Sequence, residues 1–578
     1  MQPEKISPGL LLALQDYRDE LREGLIPHKR SLGVVATLNI VKPPRVVVFI
    51  YCDEDAQLEH LTQYDIQLNQ STGRVRTAFL PIASLDALSE DPAVDRIKPS
   101  RYLRALMDVA PGKVNLPQFK TASGLSGKNV IIGIVDSGID PNHPAFQGRI
   151  LQIWDQTLPG AGVAEGGYGI ELKAEQLTTS RDEEGHGTHV AGIAAGVDET
   201  YGGVAPAAEY VLVKSDFQDA HIADGIRYIF RVAGELQRPA VVNLSLGGHA
   251  DAHDGSDSLS QIIDSESGAG RIVCCAAGNE GNDNIHGQVS VPPGKLRTMR
   301  FSVPASGVSI AWLNAWYPGN STFEVSLRSP GGFVTPFQAI IAADNPAKTY
   351  SLPDARVQIV TPGPDPANGD HNFFVQIRNA TATAPVKGGI WQLRVRNTST
   401  TEGRLDVWTL DGQPSPQVVF SGTSVQDSLK IGSPGASKAA VTVASYTTKV
   451  EYTDIDGTPR SVGLTLDDIS DFSSEGPLRD GTQKPDLAAP GAMIVSALSA
   501  DSSPSRAEMV NSKFVVKAGT SMATPFVAGV VALLLERDPS LEPAVLKELL
   551  QENSLIPGQE LGTFDPKWGF GLINAANL

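Results

Sequence analysis

Asn129-Val130-Ile131-Ile132-Gly133-Ile134-Val135-Asp136-Ser137-Gly138-Ile139-Asp140 is the stretch that decides the fold. From Val130 to Val135 every residue is apolar or glycine, and the run stops at a carboxylate. A strand that is apolar on both faces belongs in a parallel sheet covered on both sides. The pattern recurs in AEYVLVK (208–214), AVVNLSLGG (240–248) and RIVCCAAGN (271–279), with VAGIAAG (190–196) and ADGIRYIFRVAGE (223–235) between them. The expectation is α/β: a parallel sheet with helices on both faces.

After about Gly287 the period changes to two. Phe323, Val325 and Leu327 alternate with polar residues, as do Phe373, Val375 and Ile377, and Trp391, Leu393 and Val395. Short strands divided by Gly, Pro and Asn predict an antiparallel β-sandwich. From about Ile431 the α/β pattern resumes, so the sandwich is inserted within the α/β domain. Upstream, Ser7-Pro8 starts a helix carrying Leu10, Leu14, Tyr17 and Leu21. A strand from Arg45 to Tyr51, a helix-like stretch around Leu58, Leu61 and Tyr64, and a strand from Val75 to Leu80 follow. A helix start at Ser84 to Leu88 and a strand from Val94 to Ile97 complete a small α+β pattern. The predicted organisation is 1–106 as an N-terminal helix and α+β domain, 107–286 as the first part of the α/β domain, 287–430 as the insert and 431–578 as the second part.

Composition narrows the function classes. At 578 residues the chain exceeds one hydrophobic core, so about two to four domains are expected. Apolar residues at 41% and charged residues at 19% suit a soluble, folded protein, and no membrane span is expected. Lys and Arg number 47 against 65 Asp and Glu, a formal charge of −18 that argues against a nucleic-acid partner. Cys52, Cys274 and Cys275 make no disulfide framework, and the N-terminus lacks a secretory pattern. Both features predict a cytoplasmic location.

Peptide hydrolysis by serine needs a hydroxyl, a base and donors for the developing oxyanion. Asp136 stands at the carboxyl end of a strand, where open α/β sheets place their sites, yet alone it also reads as a strand-end turn. His186 lies in GHGTHVAG (185–192), between glycines and ahead of a helix. A metal pair with His189 is the alternative there, and a core histidine suits His189 better. Ser521 lies in GTSMATP (519–525), where it reads equally as a helix cap or a nucleophile beside a helix N-terminus; Pro525 is expected in the first turn. Asn279, in AAGNEG (276–281), suits either an oxyanion donor or a turn.

The blocks GIVDSGID, GHGTHVAGIAAG, VNLSLGG, AAGNEG, KPDLAAPG and GTSMATPFVAG together resemble the subtilisin-like serine peptidases (subtilases), in the order Asp, His, Ser. The resemblance covers about 107–578 apart from the insert. It implies that Asp136 orients the base, His186 is general base and then acid, Ser521 is the nucleophile, and Asn279 with the Ser521 N–H forms the oxyanion hole. It also implies a substrate pocket lined by Ser245, Leu246 and Gly247 and by Ala276, Ala277 and Gly278. GRI (148–150), IWDQT (153–157) and HDGS (253–256) are similar to the branch containing the clostridial germination peptidases, whose members carry a jelly-roll insert and an N-terminal prodomain.

On that resemblance 1–106 is expected to act as chaperone and inhibitor, self-cleaved between about Arg101 and Gly124. The partners are then a protein or peptide substrate and the chain's own prodomain. The insert reads as a rigid brace or as a binding module. No cofactor is required for the chemistry and no metal site is assigned; Asp198, Glu199, Asp251, Asp254 and Asp257 are carboxylates that either hold structural calcium or serve as loop and cap residues. A non-catalytic scaffold and a metallopeptidase using His186 and His189 are the rival readings.

Overall fold

The computed structural model describes residues 2–18, 34–35, 44–99, 104–105, 112–179, 181–341, 346–379, 385–410 and 418–578. Walking along the chain, the N-terminal part contains α1 (Pro8–Arg18), β1 (Arg45–Cys52), β2 (Val75–Pro81), α2 (Leu85–Glu90) and β3 (Val94–Pro99). The α/β part opens with β4 (Ile131–Asp136), β5 (Ile150–Asp155), β6 (Ile170–Lys173), α3 (His186–Ala195) and β7 (Glu209–Lys214). It continues with α4 (Asp219–Glu235), β8 (Ala240–Leu244), α5 (Ser258–Glu266) and β9 (Arg271–Ala276). The next ten strands are β10 (His286–Val291), β11 (Leu296–Val303), β12 (Ile310–Tyr317), β13 (Phe323–Arg328), β14 (Ala347–Leu352), β15 (Ala355–Pro364), β16 (His371–Arg378), β17 (Gly389–Asn397), β18 (Gly403–Leu410) and β19 (Val419–Ser421). The α/β part returns with β20 (Val441–Thr447), β21 (Leu487–Ala492), α6 (Thr520–Arg537) and α7 (Pro543–Glu552).

Two compact units result. One comprises Met1–Tyr102, His249–Ala252 and Asp283–Asp427; the other comprises Leu103–Gly248, His253–Asn282 and Ser428–Leu578.

In the first unit β1 pairs antiparallel with β2 and β3, and α1 contributes Leu10, Leu11 and Leu14 to their core. The predicted helix around Leu58 to Tyr64 is a 3₁₀ helix, Glu59–Tyr64, closed by Asp65 at φ 59°. Leu21 lies outside the described residues. The inserted strands form two antiparallel sheets, β10-β18-β12-β16-β15-β14 and β13-β17-β11-β19. Phe323, Val325, Leu327, Phe373, Val375, Ile377, Trp391, Leu393 and Val395 all point into the core the two sheets share. On the outer side of the six-stranded sheet Trp312 and Phe374 pack with Leu12 of α1, and Arg96 meets Asp365 at 3.3 Å, both side chains buried.

The second unit is built on one ten-stranded sheet. Its order ends Ser554–Leu555, Leu572–Ile573, β21, β20, β9, β8, β4, β7, β5, β6. From Leu572–Ile573 to β5 every neighbour is parallel, but both edge pairings are antiparallel, so the sheet is mixed rather than purely parallel. Ile132 and Ile134 of β4 enter the core formed with α3 and α6. On the opposite face a Cβ on Gly133 would lie 2.5 Å from Ile229 of α4, so glycine sets how closely that helix approaches. α6 is long and apolar enough to cross a membrane by length and composition, but 89% of it is buried inside the protein.

The KPDLAAPG block bolts β20 to β21. Fully buried Lys484 donates to Asp486 at 2.6 Å, to the Ala440 carbonyl at 2.7 Å and to Thr442 Oγ1 at 2.9 Å. Burial pushes its pKa down to about 8. Replacing Lys484 with Met is expected to cost about 3–5 kcal/mol, because among the described residues buried Asp486 then keeps only Lys547 as a cation. Urea unfolding checks this, and a loss under about 1 kcal/mol would contradict it.

Candidate active site

Two of the candidate residues stand at or just beyond the carboxyl ends of the strands on either side of β8 in the ten-stranded sheet, and two stand at the starts of helices. Asp136 is the last residue of β4, and Asn279 follows β9. His186 is the first residue of α3, and Ser521 is the second residue of α6. All four belong to the same unit.

His186 Nδ1 lies 2.6 Å from Asp136 Oδ1, with both side chains buried. An ionised carboxylate only accepts, so Nδ1 carries the proton and Nε2 is the basic nitrogen. Asp136 Oδ1 also accepts the Ser137 N–H at 2.7 Å, which fixes its plane. Close backbone packing sets the approach of the two segments. A Cβ on Gly187 would fall 2.1 Å from the Gly138 carbonyl oxygen, and one on Gly138 would fall 2.1 Å from the Arg181 carbonyl oxygen.

A residue that sequence reasoning missed holds the start of α3. Asp182 is fully buried and accepts from Ser137 Oγ (2.7 Å), Gly185 N (2.9 Å), Thr188 N (2.8 Å) and Thr188 Oγ1 (2.6 Å). It satisfies first-turn N–H groups of the helix and ties them to the residue after Asp136. Its only sequence signal is its place four residues before His186.

His189, one turn beyond His186, is fully buried, and its Nε2 lies 3.1 Å from the Val515 carbonyl oxygen. Burial holds its pKa well below the usual histidine value, so it packs as a neutral ring. The two histidines thus serve different partners.

Asn279 is anchored through Oδ1, which accepts the Thr520 N–H at 3.0 Å, while Thr520 Oγ1 stands 3.2 Å away. This engagement turns Nδ2, a pure donor, to the other side of the amide. Glu280 and Ser474 brace the same turn: Glu280 Oε2 accepts the Asn279 N–H at 2.8 Å and Ser474 Oγ–H at 3.0 Å. Thr520, Glu280 and Ser474 were not legible as site residues beforehand.

Ser521 is fully buried, and its Oγ makes no hydrogen bond among the described residues. Its N–H belongs to the first turn of α6, where helix N–H groups lack partners and the dipole favours an anion. Pro525 is not in that turn, as the sequence suggested, but in the next. It therefore strips the Ser521 carbonyl of its helical donor. Ser245 Oγ–H supplies the missing bond at 2.8 Å and is itself held by Asn243 Nδ2 at 2.9 Å.

Among the other expected pocket residues, Leu246, Ala276 and Ala277 are buried, while Gly247 and Gly278 are half-buried. Leu246 and Gly247 pair antiparallel with Ala105 and Arg104. Ser433 accepts the Gly248 N–H at 2.9 Å through its carbonyl, and Ala277 packs with Ile431, Ala436 and Leu478. The 431–436 turn is thus a further part of this region.

Three of the five candidate calcium ligands, Asp198, Asp254 and Asp257, have other partners. Asp198 Oδ1 accepts the N–H groups of Thr200 and Tyr201, and Asp254 pairs with Arg479 at 2.7 Å. Asp257 caps α5 and accepts from Ser433 Oγ; Glu199 is exposed and Asp251 buried. Among the described residues no three His, Cys, Asp or Glu side chains cluster in a way that could hold a metal ion.

A family model described as the subtilase family matches residues 127–384 and 397–571. The chain belongs to the subtilase family. It is similar to the serine protease AprX of Bacillus subtilis strain 168, at 23% identity over 515 residues, which is 86% of this chain and 77% of AprX. It is 30% identical over 226 residues to the major intracellular serine protease of the same bacterium, covering 36% of this chain and 60% of that protein, under two thirds of its length. Among solved structures, the CspB protease of Clostridium perfringens aligns with a TM-score of 0.67 at 24% identity, over 80% of this chain and 96% of that one. That likeness is one of fold. This subtilase is a serine peptidase, and so a hydrolase.

Proposed function

We propose that the chain is a serine endopeptidase in which Asp136, His186 and Ser521 are the catalytic triad and Asn279 Nδ2 with the Ser521 N–H forms the oxyanion hole. The observation that carries this reading is the 2.6 Å bond from His186 Nδ1 to Asp136, in one unit with an Asn279 amide tethered through Oδ1 to the residue before Ser521. His186 Nε2 takes the Ser521 Oγ proton as the oxygen attacks the scissile carbonyl. The imidazolium, stabilised by Asp136, then protonates the leaving amine. Water repeats the sequence on the acyl-enzyme. Every proton moves through a side chain, so no cofactor takes part in the chemistry.

The N-terminal domain is a prodomain in this reading, and the inserted sandwich a jelly roll that braces it. Arg104–Ala105 adds as a strand to Leu246–Gly247, a segment expected to line the substrate cleft, which supports cleavage between about Arg101 and Gly124. The burial of Ser521 in the uncleaved chain fits a latent form.

A fluorophosphonate probe tests the assignment. Labelling is expected on Ser521 and is expected to rise when residues 1–106 are removed by processing. No labelling in either state would favour a non-catalytic scaffold. A separate outcome is expected for the oxyanion hole: Asn279→Leu should lower kcat by about 10²–10³-fold with KM little changed. An unchanged kcat would remove Asn279 from the hole.

A further inference from the structure

The two sheets of the sandwich have very different outer faces. That of the six-stranded sheet is apolar at Trp312 and Phe374 and is covered by Leu12 of α1. That of the four-stranded sheet is cationic. Along β11, β13 and β17 the residues that alternate with the core include Arg300, Arg328, Gln392, Arg394 and Arg396. The register lines up Arg328, Gln392 and Arg300 across three neighbouring strands, with Arg394 and Arg396 further along the central strand.

Arg300, Arg328 and Arg396 are exposed and Arg394 is half-buried. Arg396 meets Glu324 at 3.0 Å and lies 4.0 Å from the Phe337 ring centroid, with Arg394 at 5.1 Å over the same ring. Arg300, Arg328 and Arg394 have no ion pair among the described residues. Neighbouring like charges on one sheet face are unfavourable. This grouping stands out on a chain whose net charge is −18.

We propose that this face is an exosite that holds an extended acidic segment of the protein substrate, an inference that rests on the peptidase reading above. The charge requires an anionic partner, and the spacing selects a polypeptide. Arg394 and Arg396 are two residues apart on one strand, a repeat of about 7 Å, which matches carboxylates at alternate positions of an extended peptide. Arg300 and Arg328 stand two strand spacings apart, about 10 Å, so they reach carboxylates on either side of it. Guanidinium forks bind carboxylates through paired hydrogen bonds, and Gln392 between them offers an amide to the peptide backbone. The Phe337 ring is already overlaid by two guanidiniums, so it offers bases and sugars no open stacking face.

The test uses the full chain carrying Ser521→Ala, so that binding is read without cleavage, and a fluorescent peptide of alternating Glu and Ser. Anisotropy is expected to show binding that weakens with added salt, while the matching Gln and Ser peptide does not bind. The double variant R300A/R394A is expected to bind about tenfold more weakly, with R300K/R394K intermediate because charge remains but the forks are lost. In the active chain, the same alanine pair should lower kcat/KM about tenfold for a neutral cleavable peptide extended by the Glu-Ser stretch, and leave the neutral peptide alone unchanged. Equal affinity in wild type and both double variants would overturn the exosite, as would tighter binding of single-stranded DNA or a sulfated polysaccharide than of the Glu-Ser peptide. Labelling of Ser521 without peptide binding would sink the exosite alone. Peptide binding without labelling would sink the peptidase reading and leave an acidic-peptide site.

Discussion

Replacing Ser521 with alanine is expected to lower kcat on any peptide by about a millionfold, a magnitude known for subtilisin triads rather than one derived from this geometry. The reason lies in how the attacking oxygen is placed. Ser521 is set by the first turn of α6, and that turn is clamped from two sides, by Asn279 on the Thr520 N–H and by Ser245 on the Ser521 carbonyl. Alanine keeps the helix and both clamps, so the fold should be unaffected and only the proposed nucleophile is lost. Intact mass and N-terminal sequencing extend the test to self-processing. The variant should retain Met1, whereas wild type should begin between about residues 101 and 124. A shortened variant would mean that another protease makes the cut, and residual activity within about a hundredfold of wild type would reject Ser521 as the nucleophile.

Asp136→Asn should cost about 10⁴-fold in kcat. The carboxylate accepts from His186 Nδ1 at 2.6 Å, and the same oxygen accepts the Ser137 N–H. An amide of the same shape can offer its NH₂ to Nδ1 instead. The ring then carries its proton on Nε2 and cannot accept the Ser521 proton. Single-turnover kinetics on a short ester or peptide would read this directly. A loss under about tenfold would mean that Asp136 does not set the tautomer.

Much of the fold was legible because burial imposes period. A parallel strand is buried on both faces, so β4, β7, β8 and β9 read as unbroken apolar runs. The strands whose alternating residues face the sandwich core read with period two. The site was legible for a different reason, since each candidate side chain stands where a strand ends or a helix begins. Contacts between residues far apart in the chain were not legible. Asp182 has one partner 45 positions upstream, and Ser245 bonds a carbonyl 276 positions away. Nothing local distinguishes them from an ordinary turn carboxylate and a small buried hydroxyl. The docking of α1 had a fainter sign. Strands Ile310–Tyr317 and His371–Arg378 carry Trp312 and Phe374 on the side opposite their core-facing residues, and a sandwich strand that is apolar on both sides has something to cover.

The interruption of the ten-stranded sheet bears on how the molecule is made. β9 and β20 are neighbours, yet the chain leaves after Ala276 and returns at Val441. A growing chain therefore presents the open edge of β9, and an apolar face awaiting α6, while the whole sandwich is still being synthesised. Such an edge is a template for aggregation. In the sandwich only β14-β15 and β15-β16 pair consecutive strands, so its other pairings close over long stretches of chain and form slowly, which prolongs that exposure. Completion of the ten-stranded sheet thus waits until the whole sandwich has been made, and Ser521, the proposed nucleophile, follows it in the chain.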